Sequence, residues 1–158
     1  SNIEFLGRVA LQDVNGIRIA GLSGVYSERC FESPHLQLPY PPNKSKLVTY
    51  YNNTDINKAL AFSDVDILLL HEWPDLMNTA REESWPGNWG HIGSPHLSLV
   101  IEALTPRFVF CGHMHRASYL KLGRTNIVCL ADFHRDPETA CIVLDTSNWT
   151  YEWPLRKK

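Results

Sequence analysis

The stretch FVFCGHMHRA at residues 108–117 decides the fold, because an apolar run typical of a buried strand ends in a glycine and two histidines. His113 and His115 stand two positions apart, so in an extended backbone both side chains point to one face. Open α/β sheets place their sites at the carboxyl ends of strands. The pattern predicts a ligand site at this edge, or, as the alternative for an isolated pair, two histidines in a solvated turn.

A second apolar run, DVDILLLH at residues 64–71, predicts another strand and ends in His71. It shows no clean alternation, which is typical of a central strand that is covered on both faces. SPHLSLVIEALTP at residues 94–106 follows and predicts a helix, because Ser94 is a good N-cap, Pro95 suits the first helical position and the apolar residues recur at helical spacing.

A strand, a helix and a strand in this order form a crossover, which makes the two strands parallel neighbours in one sheet. We therefore expect His71 to lie beside His113 and His115 at the same edge. The neutral nitrogen of imidazole is a good ligand for borderline metals at neutral pH. Three converging imidazoles predict a metal site.

The remaining chain predicts hairpins, loops and one short helix around this crossover. The hairpins span residues 8–24, turning at Asn15-Gly16, residues 118–130, and residues 138–153, turning near Ser147-Asn148. Thr54 is expected to cap a helix that ends at Ala61, and residues 28–46 and 72–93 are expected to be long loops. The order of elements indicates an α/β fold with a mixed sheet, in a single domain over residues 1–158.

Composition narrows the class of protein. The 158 residues carry a formal charge of −2, so the sequence as a whole has no electrostatic footprint for nucleic acid or an anionic membrane. Its longest apolar runs fall short of the roughly 20 residues that a membrane span needs. The four cysteines form no C-x-x-C pair. We expect free, buried thiols rather than disulfides, no membrane partner and a cytoplasmic location.

Four segments resemble the calcineurin-like metallophosphoesterases and, within them, the RNA lariat debranching enzymes. They are GIRIAGLSGVYS at 16–27, LLLHEWP at 68–74, GSPHLSLVIEALTPRFVFCGHMH at 93–115 and LADFHRDPETACIVLD at 130–145. The H-x-H pair alone is a weak signal, but its order with His-Glu-Trp-Pro and Gly-Ser-Pro is fairly specific. The resemblance covers roughly residues 8 to 146.

The resemblance implies a partial metallophosphoesterase β-sandwich flanked by helices, the C-terminal half of a four-layer fold. It also implies that His71 and His113 bind one of two divalent metals, manganese, iron or zinc, and that His115 binds the other. In such a site a metal-bridging hydroxide hydrolyses a phosphodiester or phosphomonoester. The implied substrate is a phosphate ester such as a nucleotide or an RNA.

The sequence also departs from the family pattern. The family's Asp-x-His, Gly-Asp and Asn-His-Glu boxes precede the matched region, and none of them stands before residue 8 of this sequence. We therefore expect an incomplete site with weak metal binding and little hydrolysis by the chain alone, and pairing with a missing N-terminal half or as a homodimer. The alternative is a non-catalytic binding or scaffold module. Glu72 stands where the debranching pattern favours aspartate.

Other candidates each have a structural alternative. His91 precedes a helix start and is a candidate contact to a substrate phosphate, with an exposed loop histidine as the alternative. Further candidates are Trp73, Trp85 and Trp89 for base stacking or core packing, Arg81, Arg116 and Arg135 for phosphate or solvent, and His134 for support of a metal ligand. The expected structural residues are His35, His96 and Cys111.

Overall fold

A mixed sheet forms the centre of the computed structural model, which describes residues 6–34, 47–80, 85 and 90–156. Within those residues the sheet has six strands, in the spatial order β1-β2-β3-β4-β6-β5. The strands are β1 (Val9–Val14), β2 (Ile17–Leu22), β3 (Ile67–Leu70), β4 (Phe108–Cys111), β5 (Ser118–Leu122) and β6 (Thr125–Cys129). The four inner strands run parallel, and each edge strand is antiparallel to its neighbour. The α/β prediction and the parallel pairing of β3 with β4 are confirmed.

The three predicted hairpins are present. Val14 pairs with Ile17 across the first turn, where Asn15 and Gly16 have φ angles of 54° and 83°. Such angles are what a two-residue turn needs between twisted strands. The second hairpin joins β5 to β6, and the third joins β7 (Val143–Asp145) to β8 (Thr150–Glu152) in a separate two-stranded sheet.

The helices are α1 (Glu28–Phe31), α2 (Asn53–Leu60) and α3 (Pro95–Leu104), with 3-10 turns at Asp75–Ala80 and Pro137–Thr139. The prediction for α3 is confirmed, although the Ser94 side chain makes no capping hydrogen bond. The prediction of an unbroken loop over residues 28–46 is wrong at α1, and residues 35–46 lie outside the described part.

The N-cap predicted for α2 is wrong. Asn52, not Thr54, caps the helix: its side chain accepts a hydrogen bond from the Asp55 backbone, and the Asp55 carboxylate accepts one from the Asn52 backbone. This reciprocal pair satisfies two amide groups that the first turn leaves without partners. Thr54 is the second residue inside the helix, because the sequence offers several adjacent capping residues.

One face of the sheet packs against the helices and forms the core. The side chains at alternate positions of the parallel strands, Ala20, Leu68, Val109 and Ile127, are buried there. The inward stripe of α3 covers them with Leu97, Val100 and Ile101. Burying these side chains together supplies the main stabilisation of the fold, at about 25 cal/mol for each Å² of apolar surface.

The opposite face of the sheet is only partly covered. Trp149 and Tyr151 of the β7–β8 hairpin pack on Phe108, and the Arg107 guanidinium lies 4.7 Å from the centre of the Trp149 ring. Leu69, in the middle of β3, stays 38% exposed. The prediction that this strand is covered on both faces is therefore wrong at Leu69, since the hairpin does not extend that far along the sheet.

The described residues contain no helix long and apolar enough to cross a membrane. The four cysteines are free thiols, as predicted, but their predicted burial is confirmed only for Cys111 and Cys129, since Cys30 is partly exposed and Cys141 is exposed. Cys111 is a core residue on the helix side of the sheet, with its Sγ 3.1 Å from the Sγ of Cys129.

Two leucines of α3 test this description of the core. Replacement of Leu97, which is fully buried, by alanine is expected to lower the free energy of unfolding by about 2–5 kcal/mol through lost burial and a cavity. The matched control is Leu99→Ala on the same helix, because Leu99 is 50% exposed and its loss is expected to change stability by less than about 0.5 kcal/mol. Urea unfolding followed by circular dichroism measures both; equal losses would contradict the packing described here.

Candidate metal centre

The parallel strands β3 and β4 bring two histidines together at their carboxyl ends. His71 directly follows β3, and His113 follows β4 after a single glycine. The Gly112 N–H donates to the His71 carbonyl over 3.1 Å, which continues the ladder one step beyond the strands. The His113 Nδ1 consequently lies 3.2 Å from the His71 Nε2, and the ring centres are 5.0 Å apart.

The segment that carries His113 and His115 is a turn rather than an extended strand. Both residues have left-handed backbones, with φ angles of 67° and 57°, and the Met114 N–H donates to the Gly112 carbonyl over 2.8 Å. The expectation of an extended backbone is wrong here. Non-glycine residues in this region of φ are uncommon and concentrate at functional sites, because their strain must be offset by the surrounding structure.

His115 faces a carboxylate that the sequence reasoning missed. Its Nδ1 lies 3.6 Å from the Oδ2 of Asp132, in the loop after β6. The predicted supporting residue was His134, whose backbone N–H donates to that same carboxylate over 2.9 Å. The signal that would have found Asp132 is its place shortly beyond a third parallel strand, which ends next to β4.

The histidines line a cleft of about 360 Å³ on the partly covered side of the sheet. His71, His113 and His115 contribute to its lining, together with the apolar Leu69 and Phe110. The polar groups therefore lie beside an apolar floor, as in many small-molecule sites.

The electrostatics of the cleft favour neutral imidazoles. Burial lowers the pKa of His71, and the nearby charges of His113 and His115 lower it further, while Glu72 acts in the opposite direction. The pKa of His113 is lowered for the same first reason, and then by His115. A neutral imidazole keeps the lone pair that a metal needs.

The donors fit the chemistry of a divalent metal, but they form a partial set. Imidazole nitrogen suits zinc, iron and manganese sites to different degrees, and two such rings meet at the mouth of the cleft. Among the described residues, no group of three His, Cys, Asp or Glu side chains is arranged closely enough to hold an ion by itself.

A buried hydrogen-bond network supports the backbone next to His71. The Glu72 Oε2 accepts the Tyr26 N–H over 2.8 Å and the Tyr51 hydroxyl over 3.2 Å, and that hydroxyl also lies 2.5 Å from the Ser94 Oγ. Burial raises the pKa of Tyr51 far above its usual range, so its hydroxyl stays protonated. The network joins the segment after β2, the segment after β3 and the start of α3.

Gly93 lets the segment after β3 dock against the start of α3. Ser94 donates its N–H to the Trp73 carbonyl over 3.0 Å, and Asp75 donates its N–H to the Ser94 carbonyl over 3.2 Å. Gly93 has a φ of 78°, and a Cβ at this position would lie 2.6 Å from backbone atoms of Pro74. Only glycine fits this approach.

His91 lies outside the lining of the cleft. Its Nε2 is 3.6 Å from the Asp75 Oδ2 and 3.4 Å from the Asn78 Nδ2, and its side chain is 71% exposed. The Asn78 amide also exchanges hydrogen bonds with the backbone of Ile92, over 2.7 and 3.1 Å. The structure thus holds His91 on the 3-10 turn rather than with the three histidines of the cleft.

The other candidates have mostly structural positions. Trp73 and Trp85 are buried with ring centres 5.4 Å apart, so core packing describes them, and His96 stacks on Phe31 at 4.0 Å. Arg135 forms an ion pair with Asp132, with Nε 3.7 Å from Oδ2. A phosphate contact by Arg116 stays a prediction. Three candidates lie outside the described residues: His35, Arg81 and Trp89.

The sequence of this chain is similar to the sequences of several lariat debranching enzymes. A lariat debranching enzyme of Arabidopsis thaliana is 31% identical over 128 residues, which is 73% of this chain and 30% of that protein. Proteins of the same name from Entamoeba histolytica and Homo sapiens are 27% and 28% identical, over 82% and 72% of this chain. The chain is a homologue of the lariat debranching enzymes. These belong to the metallophosphoesterase family, so the recognition from the sequence is confirmed.

The chain spans 30%, 39% and 23% of the length of these three lariat debranching enzymes. No family model matches the chain. A solved crystal structure shares the fold with a TM-score of 0.60 at 15% identity, covering 90% of this chain and 51% of the other. The crystal structure of a protein from Thermus thermophilus gives a TM-score of 0.54 at 14% identity, covering 90% and 55%. Both likenesses support the predicted fold class.

Gly93 provides a test of how the segment after β3 docks against the start of α3. Gly93→Ala is expected to lower the free energy of unfolding by on the order of 1–3 kcal/mol from backbone strain alone, with the overlap on Pro74 adding to it. Gly90→Ala is the control, because no atom of the described residues lies within 4 Å of a Cβ at Gly90. Thermal unfolding of both variants measures the difference, and a Gly93→Ala variant as stable as its control would refute the close docking.

Proposed function

We propose that this chain contributes three imidazoles to a dinuclear metal centre that hydrolyses a phosphodiester or a phosphomonoester. The observation that carries the proposal is the 3.2 Å approach of the His71 and His113 ring nitrogens at the ends of two parallel strands. The lowered pKa of each ring supports it, because both remain in the ligand form near neutral pH. Homology to the lariat debranching enzymes supports a phosphoesterase.

Each residue has a proposed role. His71 and His113 bind one divalent ion, and His115 binds the second. When bound, the ions stabilise negative charge on phosphate oxygens and make water a better nucleophile. The hydrogen bond from Gly112 to the His71 carbonyl aligns the backbones that carry the two rings, and Leu69 gives the cleft an apolar floor.

The substrate class proposed is a phosphate ester of a nucleotide or RNA, and the metals proposed are manganese, iron or zinc. The name of the relatives, lariat debranching enzyme, supports RNA as the first substrate to test. A contact between His91 and a substrate phosphate stays a prediction, because that ring lies on the 3-10 turn beside Asp75.

We also propose that the site is completed from outside the described residues, by an N-terminal half or by a second copy in a homodimer. Two features support this. The described donors do not by themselves form a set of three around one point. The apolar side chains of Leu69 and Phe110 line the open cleft beside the histidines, where a further segment could pack against them.

A non-catalytic binding or scaffold module is the second candidate function. The partial donor set among the described residues favours it, whereas the presence of all three histidines favours the enzyme. The four free thiols support a cytoplasmic location for either function.

Metal binding separates the candidates through one substitution. His113→Ala is expected to reduce the affinity for Zn²⁺ or Mn²⁺ at least about tenfold, because it removes one donor directly. His96→Phe is the matched control: it also removes an imidazole, but it keeps the aromatic stacking on Phe31. Isothermal titration calorimetry measures the affinities, and hydrolysis of bis-para-nitrophenyl phosphate measures the activity.

The two readouts have distinct outcomes. Binding that is lost in His113→Ala and kept in His96→Phe supports the centre, and weak hydrolysis with the same dependence supports the enzyme. Metal binding without hydrolysis, even after an N-terminal portion of a relative is added, favours the module. Equal binding by the wild type and both variants would count against a centre at His113.

A further inference from the structure

The loop after β6 places one carboxylate next to the proposed centre. β6 runs parallel to β4, and the Leu130 N–H donates to the Cys111 carbonyl over 2.8 Å, so the two strands end side by side. Two residues later the Asp132 Oδ2 lies 3.6 Å from the Nδ1 of His115. Asp132 is not among the site residues that the sequence motifs predict.

The position of this carboxylate is fixed by its own loop. The Asp132 Oδ1 accepts the His134 N–H over 2.9 Å, and its backbone carbonyl accepts the N–H groups of Arg135 and Asp136 over 3.0 and 2.8 Å. The Arg135 Nε lies 3.7 Å from the other carboxylate oxygen. The Asp132 side chain is 22% exposed, against 56% for His115. The carboxylate is therefore the better fixed of the two groups.

We propose that Asp132 is a positioning residue that holds the Nδ1 side of the His115 ring and directs Nε2 to the cleft. This inference rests on the proposed metal centre. A carboxylate beside Nδ1 favours the tautomer with the proton on Nδ1, which leaves the lone pair on Nε2. His115 lines the cleft together with His71 and His113. Because Nδ1 faces Asp132, Nε2 is the ring nitrogen left for a metal.

A purely structural role for Asp132 predicts different behaviour. A contact between a carboxylate and a half-exposed histidine at the surface contributes little to stability, because water solvates both groups. Loss of the carboxylate is therefore expected to leave thermal unfolding nearly unchanged while it alters the state of the His115 ring. The state of the ring is the informative readout, since a merely structural carboxylate would not control it.

The tautomer is measured on the metal-free chain by two-dimensional ¹H–¹⁵N correlation of the ring nitrogens, at a pH high enough for the ring to be neutral, because imidazolium carries a proton on both nitrogens. His115 is expected to carry its proton on Nδ1 in the wild type and mainly on Nε2 in Asp132→Ala. Asp132→Asn, which keeps the shape and an oxygen for the His134 N–H, is expected to give an intermediate mixture and serves if the alanine variant does not fold. Glu138→Gln, which removes one negative charge from the same loop, is the matched control and is expected to match the wild type.

The affinity for the zinc ion that depends on His115 is the second readout, and Asp132→Ala is expected to reduce it about 10–100-fold. The same tautomer in the wild type and Asp132→Ala would overturn the positioning role, and so would unchanged zinc affinity in Asp132→Ala where His115→Ala loses affinity. If the tautomer changes but the wild type binds no zinc, the positioning role stands and the proposed metal centre fails. The two proposals can thus be refuted separately.

Discussion

The hydrogen bond from the Gly112 N–H to the His71 carbonyl is the contact on which the rest of the site depends. It continues the parallel pairing of β3 and β4 beyond the last residues of both strands. Because parallel strands in register end at the same level, His71 and His113 meet although they are 42 positions apart in the sequence. The helix between these strands makes the pairing parallel, and its buried stripe fixes it on the sheet.

The site is further shaped by what covers each face of the sheet. The helical face is closely packed, and it gives the strand ends a rigid base. The other face is covered by the β7–β8 hairpin only around Phe108, so the cleft opens directly beside Leu69. Because the cleft is open, His71 and His113 are only partly buried. Their partial burial lowers the pKa of both rings, and the rings still line the cleft.

The elements that could be predicted from the sequence are those whose signals are local. The Asn15-Gly16 turn, the proline at the start of α3 and the apolar strands each carry their own cue, and the structure confirms them. The crossover rule then placed His71 near His113 without any contact information. The resemblance to a family added the implied roles of the histidines, which no local signal provides.

The features that the sequence did not predict depend on contacts between distant segments. Asp132 reaches His115 only because β6 inserts beside β4, and the strand order is not readable from an apolar run. The left-handed backbone of His113 is stabilised by its surroundings, so an extended conformation was the natural but wrong expectation.

Metal binding between His71 and His113 is tested most directly by a crystal structure of the zinc-soaked chain, with anomalous diffraction recorded on both sides of the zinc absorption edge. We predict an anomalous peak at the mouth of the cleft, within bonding distance of imidazole nitrogens of His71 and His113, at about 2.0–2.1 Å. Zinc located only elsewhere, for example between His91 and Asp75, with the cleft histidines free of metal, would contradict the proposed centre.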